Sequence, residues 1–299
     1  MNNIIVDGSS KIFYKTEDNN VYHVVFKDIL HGRSRQQEIK GTGRLREEFC
    51  FYFYQLLEKE GVKTHLASHF LGKKLSADQI LLERGLRVKK LDMVMLELIA
   101  RFVARGHWVD SHKVPVLPAG EIFTEPVIEF CLKWKKATDN ISWQILPKGW
   151  RYLHKLLSIS GINKILLPET VTIDDPRINT NMAICLHNHA RQPSIKNRLI
   201  ENREEGAVLK SLISKVNHIL KDFLRSEGWV LEDSKFEVGI MQGSARNFIV
   251  ADELTQDSSR IRNDKGESLT KDLHRQHKSP SEIYDGYAKL TEAIKKYAK

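Results

Sequence analysis

The sequence predicts an α+β fold, in which strands and helices are grouped rather than alternating. Strand-like runs dominate the first 30 residues, and a clear helical pattern lies late in the chain, over about residues 205–227. A doubly wound α/β fold would instead show strands and helices in regular alternation. The length of 299 residues allows one large domain or two smaller ones.

Short apolar runs separated by turn residues predict strands near the start of the chain. The pair Asn19-Asn20 is the turn signal before the third run. The predicted strands cover residues 4–6, 11–14 and 21–26, and a strand pair or one long strand covers 87–101.

Three helices are predicted from apolar residues that recur at helical spacing. Gly61 and Gly228 end the first two, because glycine is the residue typical of the position just beyond a helix. The last helix begins with a capping box that has proline at the first helical position. The predicted helices follow Gly43, run from about Glu205 to Glu227, and begin at Ser279-Pro280-Ser281-Glu282.

Composition excludes several classes of protein. Apolar residues make up 41% and charged residues 28%, which is ordinary for a globular protein and unlike a disordered or collagen-like chain. No apolar run approaches the ~18 residues of a membrane helix, and the first residues show no secretory-signal pattern. The three cysteines (Cys50, Cys131 and Cys185) are far apart, which predicts a reducing, cytoplasmic location.

The formal net charge of +9 raises the question of an anionic partner. A basic surface can serve nucleic acid, anionic lipid or small phosphorylated ligands, and it can also serve solubility alone. The basic residues form short clusters rather than a long run, which argues against a nucleic-acid tail. We therefore expect small phosphorylated ligands rather than nucleic acid or a membrane, with solubility alone as the alternative.

A charged hairpin is predicted from two strand-like runs, over residues 229–240 and 247–254. Side chains alternate faces along a strand, so Asp233, Lys235 and Glu237 share one face and the opposite face is core. The charged face is either a solvated surface, on which Lys235 neutralises its neighbours, or a binding site.

A tight turn near Gly243 places Glu237 opposite Asp252. Two carboxylates ~5 Å apart repel by roughly 3 kcal/mol at an effective dielectric constant of ~20. A hard cation between the two carboxylates makes the arrangement favourable. Mg²⁺ is commonly coordinated by one or two carboxylates together with phosphate oxygens. The pair therefore indicates a metal–nucleotide site, in which Lys235 is suited to hold a phosphate or a carboxylate.

Arg260 follows the hairpin, in the segment Gln256-Asp257-Ser258-Ser259-Arg260. Its guanidinium group suits bidentate contact with a phosphate or a carboxylate. The alternative is an ordinary turn that contains an Asp–Arg ion pair.

Seven blocks in order resemble the SAICAR synthetase family, the phosphoribosylaminoimidazole-succinocarboxamide synthetases of purine biosynthesis. Each block is short, but together they form a specific match over most of residues 8–296. The blocks are GSSKIFY (8–14), VKKLDMV (88–94), LELIARFVARGH (96–107), EPVIEFCLK (125–133), DPRIN (175–179), LEDSKFEVG with VADELTQDSSRI (231–239 and 250–261), and LTKDLHR (269–275).

The resemblance implies an N-terminal antiparallel sheet region, a larger C-terminal α+β region and an ATP cleft between them. We expect an ATP-cleft domain over residues 1–92 and a nucleotide and substrate domain over 93–299, with an insertion at about 134–173. The implied activity is that of an ATP-dependent carboxylate–amine ligase that uses Mg²⁺. It would join carboxyaminoimidazole ribonucleotide to L-aspartate through an acyl phosphate. A homo-oligomer is a further expectation.

The resemblance also implies a role for each matching residue. Lys235 and Asp233 would act at the reacting carboxylate. ATP would be bound by Lys11 at its phosphates, by Lys89 and Met93 at its adenine, and by Glu237 and Asp252. Mg²⁺ would be held by Glu237, Asp252 and Asp175. The ribonucleotide would be bound by Glu97, Arg101, His107, Lys133, Asp175 and Arg260.

The sequence departs from the family pattern near the phosphate and substrate positions. Ser9 replaces the first of two usual lysines, Thr42 replaces the lysine of a glycine–lysine–glycine block, and His107 replaces a serine. Two alternatives follow. One is a divergent paralogue that amidates a different carboxylate with a different amine, and the other is a non-catalytic ATP- or RNA-binding protein on the same scaffold.

Overall fold

The computed structural model describes residues 3–32, 35–69, 84–105, 120–132, 177–178, 200–241, 243 and 246–299. Within these ranges it has two larger antiparallel sheets, a small hairpin and four helices, which is the α+β arrangement that the sequence predicts. Cys185, three predicted site residues and the expected insertion lie outside the described residues. The three site residues are His107, Lys133 and Asp175.

The first sheet consists of five strands from the N-terminal third of the chain. These are β1 (Ile4–Asp7), β2 (Lys11–Lys15), β3 (Val21–Phe26), β6 (Leu66–His69) and β7 (Leu86–Lys89), in the order β1-β2-β3-β7-β6. The three predicted N-terminal strands are confirmed. The separate hairpin of β4 (Ile29–His31) and β5 (Gln36–Glu38) was not predicted, and neither was β6, because these strands are short and lack apolar alternation.

The second sheet contains the charged hairpin. Its strands are β8 (Asp92–Val103), β9 (Ile122–Leu132), β10 (Arg177–Ile178), β11 (Val230–Ile240), β12 (Phe248–Ala251) and β13 (Ser259–Arg262). β8 runs along one edge of β11, while β12 and β13 pair with different parts of β11. The segment predicted as one strand or two is therefore a pair, β7 and β8, whose members lie in different sheets.

The hairpin register differs from the prediction by one residue. Glu237 pairs with Ala251 instead of Asp252, and the last pair before the connection is Ile240 with Phe248. The prediction was wrong because it assumed a tight turn at Gly243, and the length of the connection sets the register of a hairpin. Asp252 follows the end of β12 with a left-handed backbone (φ 62°), a conformation that aspartate adopts more readily than most residues.

The three predicted helices are confirmed, with ends that differ from the prediction by at most two residues. The described helices are α1 (Thr42–Lys59), α2 (Arg203–Ser226), α3 (Asp272–Arg275) and α4 (Pro280–Tyr297), of which the short α3 was not predicted. At the end of α1 the amide of Gly61 donates to Glu58 and the amide of Val62 donates to Leu57, which is a Schellman motif. Gly228 makes the same motif after α2, and the predicted capping box opens α4.

One contiguous core joins both sheets to α1, α2 and α4. Phe236 and Val238 place the apolar face of β11 in this core, as predicted. The first sheet ends at Lys89 and the second begins at Asp92, and the domain boundary at residue 92 stays a prediction because the core runs through both sheets. None of the described helices has the length and apolar character needed to cross a membrane.

The capping box of α4 gives a test of local stability. The Ser279 hydroxyl accepts a hydrogen bond from the backbone amide of Glu282. We expect Ser279→Ala to lower the free energy of unfolding by about 1 kcal/mol in a urea titration, because the helix loses this N-cap. Ser211→Ala, at an exposed position inside α2, is the control and should change it by less than about 0.5 kcal/mol. Equal losses in the two variants would contradict this account.

Candidate active site

Two acidic side chains lie directly opposite each other in the second sheet. Glu237 on β11 pairs in register with Glu97 on β8. Like charges at such a position are destabilising unless a cation lies between them. The ammonium group of Lys235 supplies that cation, since its Nζ is 3.1 Å from Glu97 Oε1 and 3.5 Å from Glu237 Oε1.

A second lysine connects this cluster to the first sheet. Lys11 on β2 donates a hydrogen bond to the Asp252 carboxylate, just beyond the end of β12. Its Nζ is 3.8 Å from Glu253 Oε1. The predicted residues Lys11, Asp252, Glu237, Lys235 and Glu97 are thus brought together, and we call them with Glu253 the lysine–carboxylate cluster.

Both lysines are held in the charged form. Burial alone would lower the pKa of Lys235, but the carboxylates of Glu97, Asp252 and Glu237 outweigh burial and raise it above the usual 10.5. The pKa of Lys11 is raised in the same way, chiefly by Asp252 and Glu253 against burial. Lys235 and Lys11 therefore serve as fixed positive charges at neutral pH, and neither is available as a general base.

Glu237 and Asp252 have the chemistry to hold a divalent cation. Mg²⁺ prefers oxygen ligands and is commonly bound by one or two carboxylates together with substrate phosphates. The neighbouring Glu253 Oε2 is buried without a hydrogen-bond partner in the part of the chain that the structure describes. No group of three His, Cys, Asp or Glu side chains among the described residues forms a preassembled metal site.

Asp233 lies in a second cluster, between two arginines on neighbouring strands. It pairs in register with Arg101 on β8 and with Arg260 on β13. Arg101 Nη1 is 3.3 Å from Asp233 Oδ2, and Arg260 Nη1 donates to the same oxygen. Burial raises the pKa of Asp233 above its ordinary value, and the two arginines only partly oppose this shift.

Further acids extend this cluster at both ends. Arg101 is buried and donates through Nε to Glu129, while Arg260 Nε is 3.0 Å from Asp272 Oδ2 and Arg275 also donates to Asp272. The result is a row of alternating charges, which we call the charge chain. Its members are Glu129, Arg101, Asp233, Arg260, Asp272 and Arg275.

A cavity of about 220 Å³ lies beside the charge chain. Four cationic side chains line it, against two acidic ones, together with the hydroxyl residues Ser234, Ser258 and Ser259. The excess of positive charge suits an anion such as a phosphate group. The cations are Arg101, Lys235, Arg260 and Arg275, and the acids are Asp233 and Asp257.

Lys89 and Met93 lie at the passage from the first sheet to the second. Lys89 ends β7, and its Nζ is 3.5 Å from the carbonyl oxygen of Thr64. Met93 pairs with Gly239 on β11, where a Cβ atom would approach Met93 Sδ to 3.2 Å. Their contact with adenine stays a prediction.

Sequence reasoning missed several residues of the site. His65 joins the sheets through its backbone: its amide donates to Val250 in β12, and its carbonyl accepts from the amide of Lys89. Its ring is buried against Tyr54, and burial lowers the pKa of His65 to about 3. The other missed residues are Arg46, Glu129, Asp257, Asp272 and Arg275, of which the last four lie inside the quoted family blocks.

Comparison with known proteins identifies the family. The sequence profile named SAICAR synthetase matches residues 4–146 and 170–291, which is most of the chain. The chain belongs to the SAICAR synthetase family.

Individual relatives match over nearly their full length. The phosphoribosylaminoimidazole-succinocarboxamide synthases of Sulfolobus acidocaldarius and Methanococcoides burtonii are 27% and 29% identical, with 95% of this chain and 94% of each relative covered. A solved SAICAR synthetase (type 2) in complex with ADP is 26% identical, with 97% of both chains covered and a TM-score of 0.67. The predicted family and fold are therefore confirmed.

The buried ring of His65 predicts a dependence of stability on pH. The folded protein holds His65 neutral, whereas the unfolded chain protonates it below its ordinary pKa of 6.5. This contribution is present above pH 6.5 and is lost progressively as the pH falls toward 3. We expect the free energy of unfolding to fall by about 2 kcal/mol more between pH 7.5 and pH 5 in the wild type than in His65→Phe.

The measurement is urea unfolding of both proteins at the two pH values. His218→Gln is the matched control, because that imidazole is exposed on α2 beside Asp222. The control should keep the pH dependence of the wild type. An equal pH dependence in wild type and His65→Phe would contradict the assignment.

Proposed function

We propose that this protein is an ATP-dependent ligase that joins the carboxylate of carboxyaminoimidazole ribonucleotide to the amine of L-aspartate in purine biosynthesis. Membership of the SAICAR synthetase family and near full-length similarity to named synthases support this function. The observation that carries the proposal is the lysine–carboxylate cluster beside a cation-lined cavity. That arrangement offers one place for a metal-bound triphosphate and another for a phosphorylated substrate.

The chemistry requires two steps because a carboxylate is a poor electrophile. First, a carboxylate oxygen of the ribonucleotide attacks the γ-phosphorus of ATP, and ADP leaves. The aspartate nitrogen then attacks the carbonyl carbon of the acyl phosphate, the bond from that carbon to the phosphate oxygen breaks, and inorganic phosphate leaves. The nitrogen loses a proton, and an amide remains.

Fixed positive charges supply the stabilisation that phosphoryl transfer needs. Lys11 would contact the phosphates of ATP, and Lys235 would lie at the reacting carboxylate beside Asp233. Glu237 and Asp252 would hold Mg²⁺, which neutralises phosphate charge when it is bound. Lys89 and Met93 would border adenine.

The cation-lined cavity would receive the phosphate of the ribonucleotide. Arg101 and Arg260 line it, and a guanidinium group suits bidentate contact with phosphate. Glu97 would lie near the imidazole ring. His107, Lys133 and Asp175 keep the substrate and metal roles that the resemblance implies, and they lie outside the described residues. A cytoplasmic location and a homo-oligomeric state are further parts of the proposal.

A ligase with a different carboxylate or amine is the second candidate. The departures from the family pattern favour it, because they lie near phosphate positions. Thr42 is fully buried, and its hydroxyl donates to the carbonyl oxygen of Ile39 at 2.7 Å, so it does not replace the cation of a lysine. Substrate preference separates the two candidates.

The activity test is release of ADP in a coupled assay with Mg²⁺-ATP, carboxyaminoimidazole ribonucleotide and L-aspartate. We expect turnover that requires all three substrates, and a loss of kcat of at least about 100-fold in Lys235→Met, the range that one electrostatic group contributes. Lys210→Met, on the exposed face of α2, should retain the rate of the wild type. Turnover only with another amine or another carboxylate would favour the divergent ligase, and no ADP release with any such pair would contradict a ligase.

The acidic pair gives a separate prediction on metal dependence. Glu237→Gln and Asp252→Asn each remove one carboxylate charge from the proposed Mg²⁺ site. We expect the Mg²⁺ concentration at half-maximal rate to rise by about tenfold or more in each variant, with a smaller change in the KM for aspartate. If the Mg²⁺ concentration at half-maximal rate is unchanged, these acids do not hold Mg²⁺ and serve only to neutralise the nearby lysines. Glu204→Gln, in the first turn of α2, is the control for a lost surface carboxylate.

A further inference from the structure

Arg46 is a fully buried cation that none of the proposed catalytic roles uses. It lies in the second turn of α1, and its guanidinium group has no exposed surface. Nη1 is 2.9 Å from Asp257 Oδ2, and Nη2 donates to the carbonyl oxygen of Lys27, with the carbonyl oxygen of Ile29 at 3.4 Å. One side chain thus holds the segment between β3 and β4 together with the segment that precedes β13.

The partner carboxylate forms part of the wall of the cation-lined cavity. Asp257 lines that cavity and also accepts a hydrogen bond from the Tyr287 hydroxyl of α4, with Lys271 Nζ at 3.7 Å. Burial opposes ionisation of this group, but Arg46 and Lys271 outweigh it and lower the pKa of Asp257. The carboxylate is therefore ionised and held from three elements.

The backbone next to Asp257 carries the groups that face the cavity. The carbonyl oxygen of Ser258 accepts from the amide of Lys235 at 2.7 Å, and Arg260 follows two residues later on β13. A shift of Asp257 would therefore move Ser258 and Arg260 with respect to Lys235. A displacement of about 1 Å in such a wall is enough to weaken catalysis substantially.

A buried ion pair is a poor way to gain stability alone. Desolvation of two charges offsets most of their attraction, and a well-packed apolar pair of similar volume often serves a core as well or better. The use of four hydrogen-bond acceptors by one guanidinium group instead fixes geometry, because its planar fork defines the direction of each acceptor. The location of the pair points to a function at the cavity.

We propose that Arg46 is a positioning residue for the phosphorylated substrate, which acts through Asp257 to fix the Ser258–Arg260 wall of the cavity. The inference rests on the proposed function for the identity of the substrate. Arg46 itself is not part of the cavity lining, and its hydrogen bonds go to Asp257 and to backbone carbonyl oxygens. It sets where Arg260 points, and Tyr287 supports the same carboxylate from α4.

The test measures binding of ribose 5-phosphate, a probe of the phosphate site, by isothermal titration calorimetry on the full-length protein. Arg46→Lys keeps the charge but loses the planar fork, and Tyr287→Phe removes only one donor to Asp257. We expect the dissociation constant for ribose 5-phosphate to rise by about fivefold or more in Arg46→Lys, the equivalent of one lost hydrogen bond. Tyr287→Phe should raise it in the same direction. The dissociation constant for ADP should change by less than about twofold in both variants.

Arg44→Lys is the matched control, because Arg44 is in the same helix and its half-exposed side chain pairs with Glu48. It should leave both dissociation constants unchanged. The KM for the ribonucleotide should rise with the probe dissociation constant, while kcat changes less. A purely structural role would lower the melting temperature and leave the affinity of the folded fraction for ribose 5-phosphate unchanged.

The outcomes separate this inference from the proposed function. Unchanged probe affinity in folded Arg46→Lys overturns it, and so does a wild-type protein that does not bind ribose 5-phosphate. If Arg46→Lys does not fold, the dissociation constant of Tyr287→Phe for ribose 5-phosphate is the test, and an unchanged value overturns the inference. Weakened probe binding in a protein without ligase turnover supports the positioning role and overturns the proposed reaction instead.

Discussion

The site depends on two carboxylates that lie directly opposite each other in the second sheet. One is on β11 and the other is on the neighbouring strand β8. Glu237 and Glu97 repel, and Lys235 lies within 3.5 Å of both. The lysine therefore offsets the repulsion between the two acids. The first sheet is tied to the same place, because Lys11 reaches across to Asp252. This electrostatic arrangement explains why β2, β8, β11 and the end of β12 meet at one point.

Ion pairs also order the side chains of the charge chain, beside the cation-lined cavity. The guanidinium groups of Arg101 and Arg260 are each held by carboxylates on both sides, so these two arginines are oriented before any ligand binds. Buried ion pairs of this kind contribute little net stability, since desolvation offsets their attraction. Their value lies in preorganisation, because a site whose charges are already in place needs no reorganisation at the moment of reaction.

Local signals in the sequence predicted much of this fold. The glycines that end α1 and α2, the capping box of α4 and the apolar face of β11 depend on a few neighbouring residues, and each was predicted correctly. The residues that share the charged face of β11 follow from strand alternation alone. Long-range features were missed. β13 is only four residues long and gains its partner from β11, and the pairing of Glu237 with Glu97 depends on the register between distant strands.

The same limit explains which site residues were found. Lys235, Glu237, Asp252 and Arg260 stand in charged segments whose pattern is visible locally. Arg46 and His65 owe their environment to tertiary contacts, since a guanidinium group in an amphipathic helix and an imidazole after a turn are ordinary on the surface. Both side chains differ from ordinary surface residues in being buried, and burial can be seen only in the folded protein.

The charge balance of the lysine–carboxylate cluster distinguishes an enzyme from an inert scaffold. Glu97, Glu237, Asp252 and Glu253 are four acids, and Lys11 and Lys235 are two cations, so these six residues carry an excess of two negative charges. Glu253 Oε2 is buried without a hydrogen-bond partner among the described residues. A divalent cation would offset this excess of negative charge, which supports the proposed Mg²⁺ site. The negative charge that the two lysines leave uncompensated is therefore physical support for a site that functions with a bound cation.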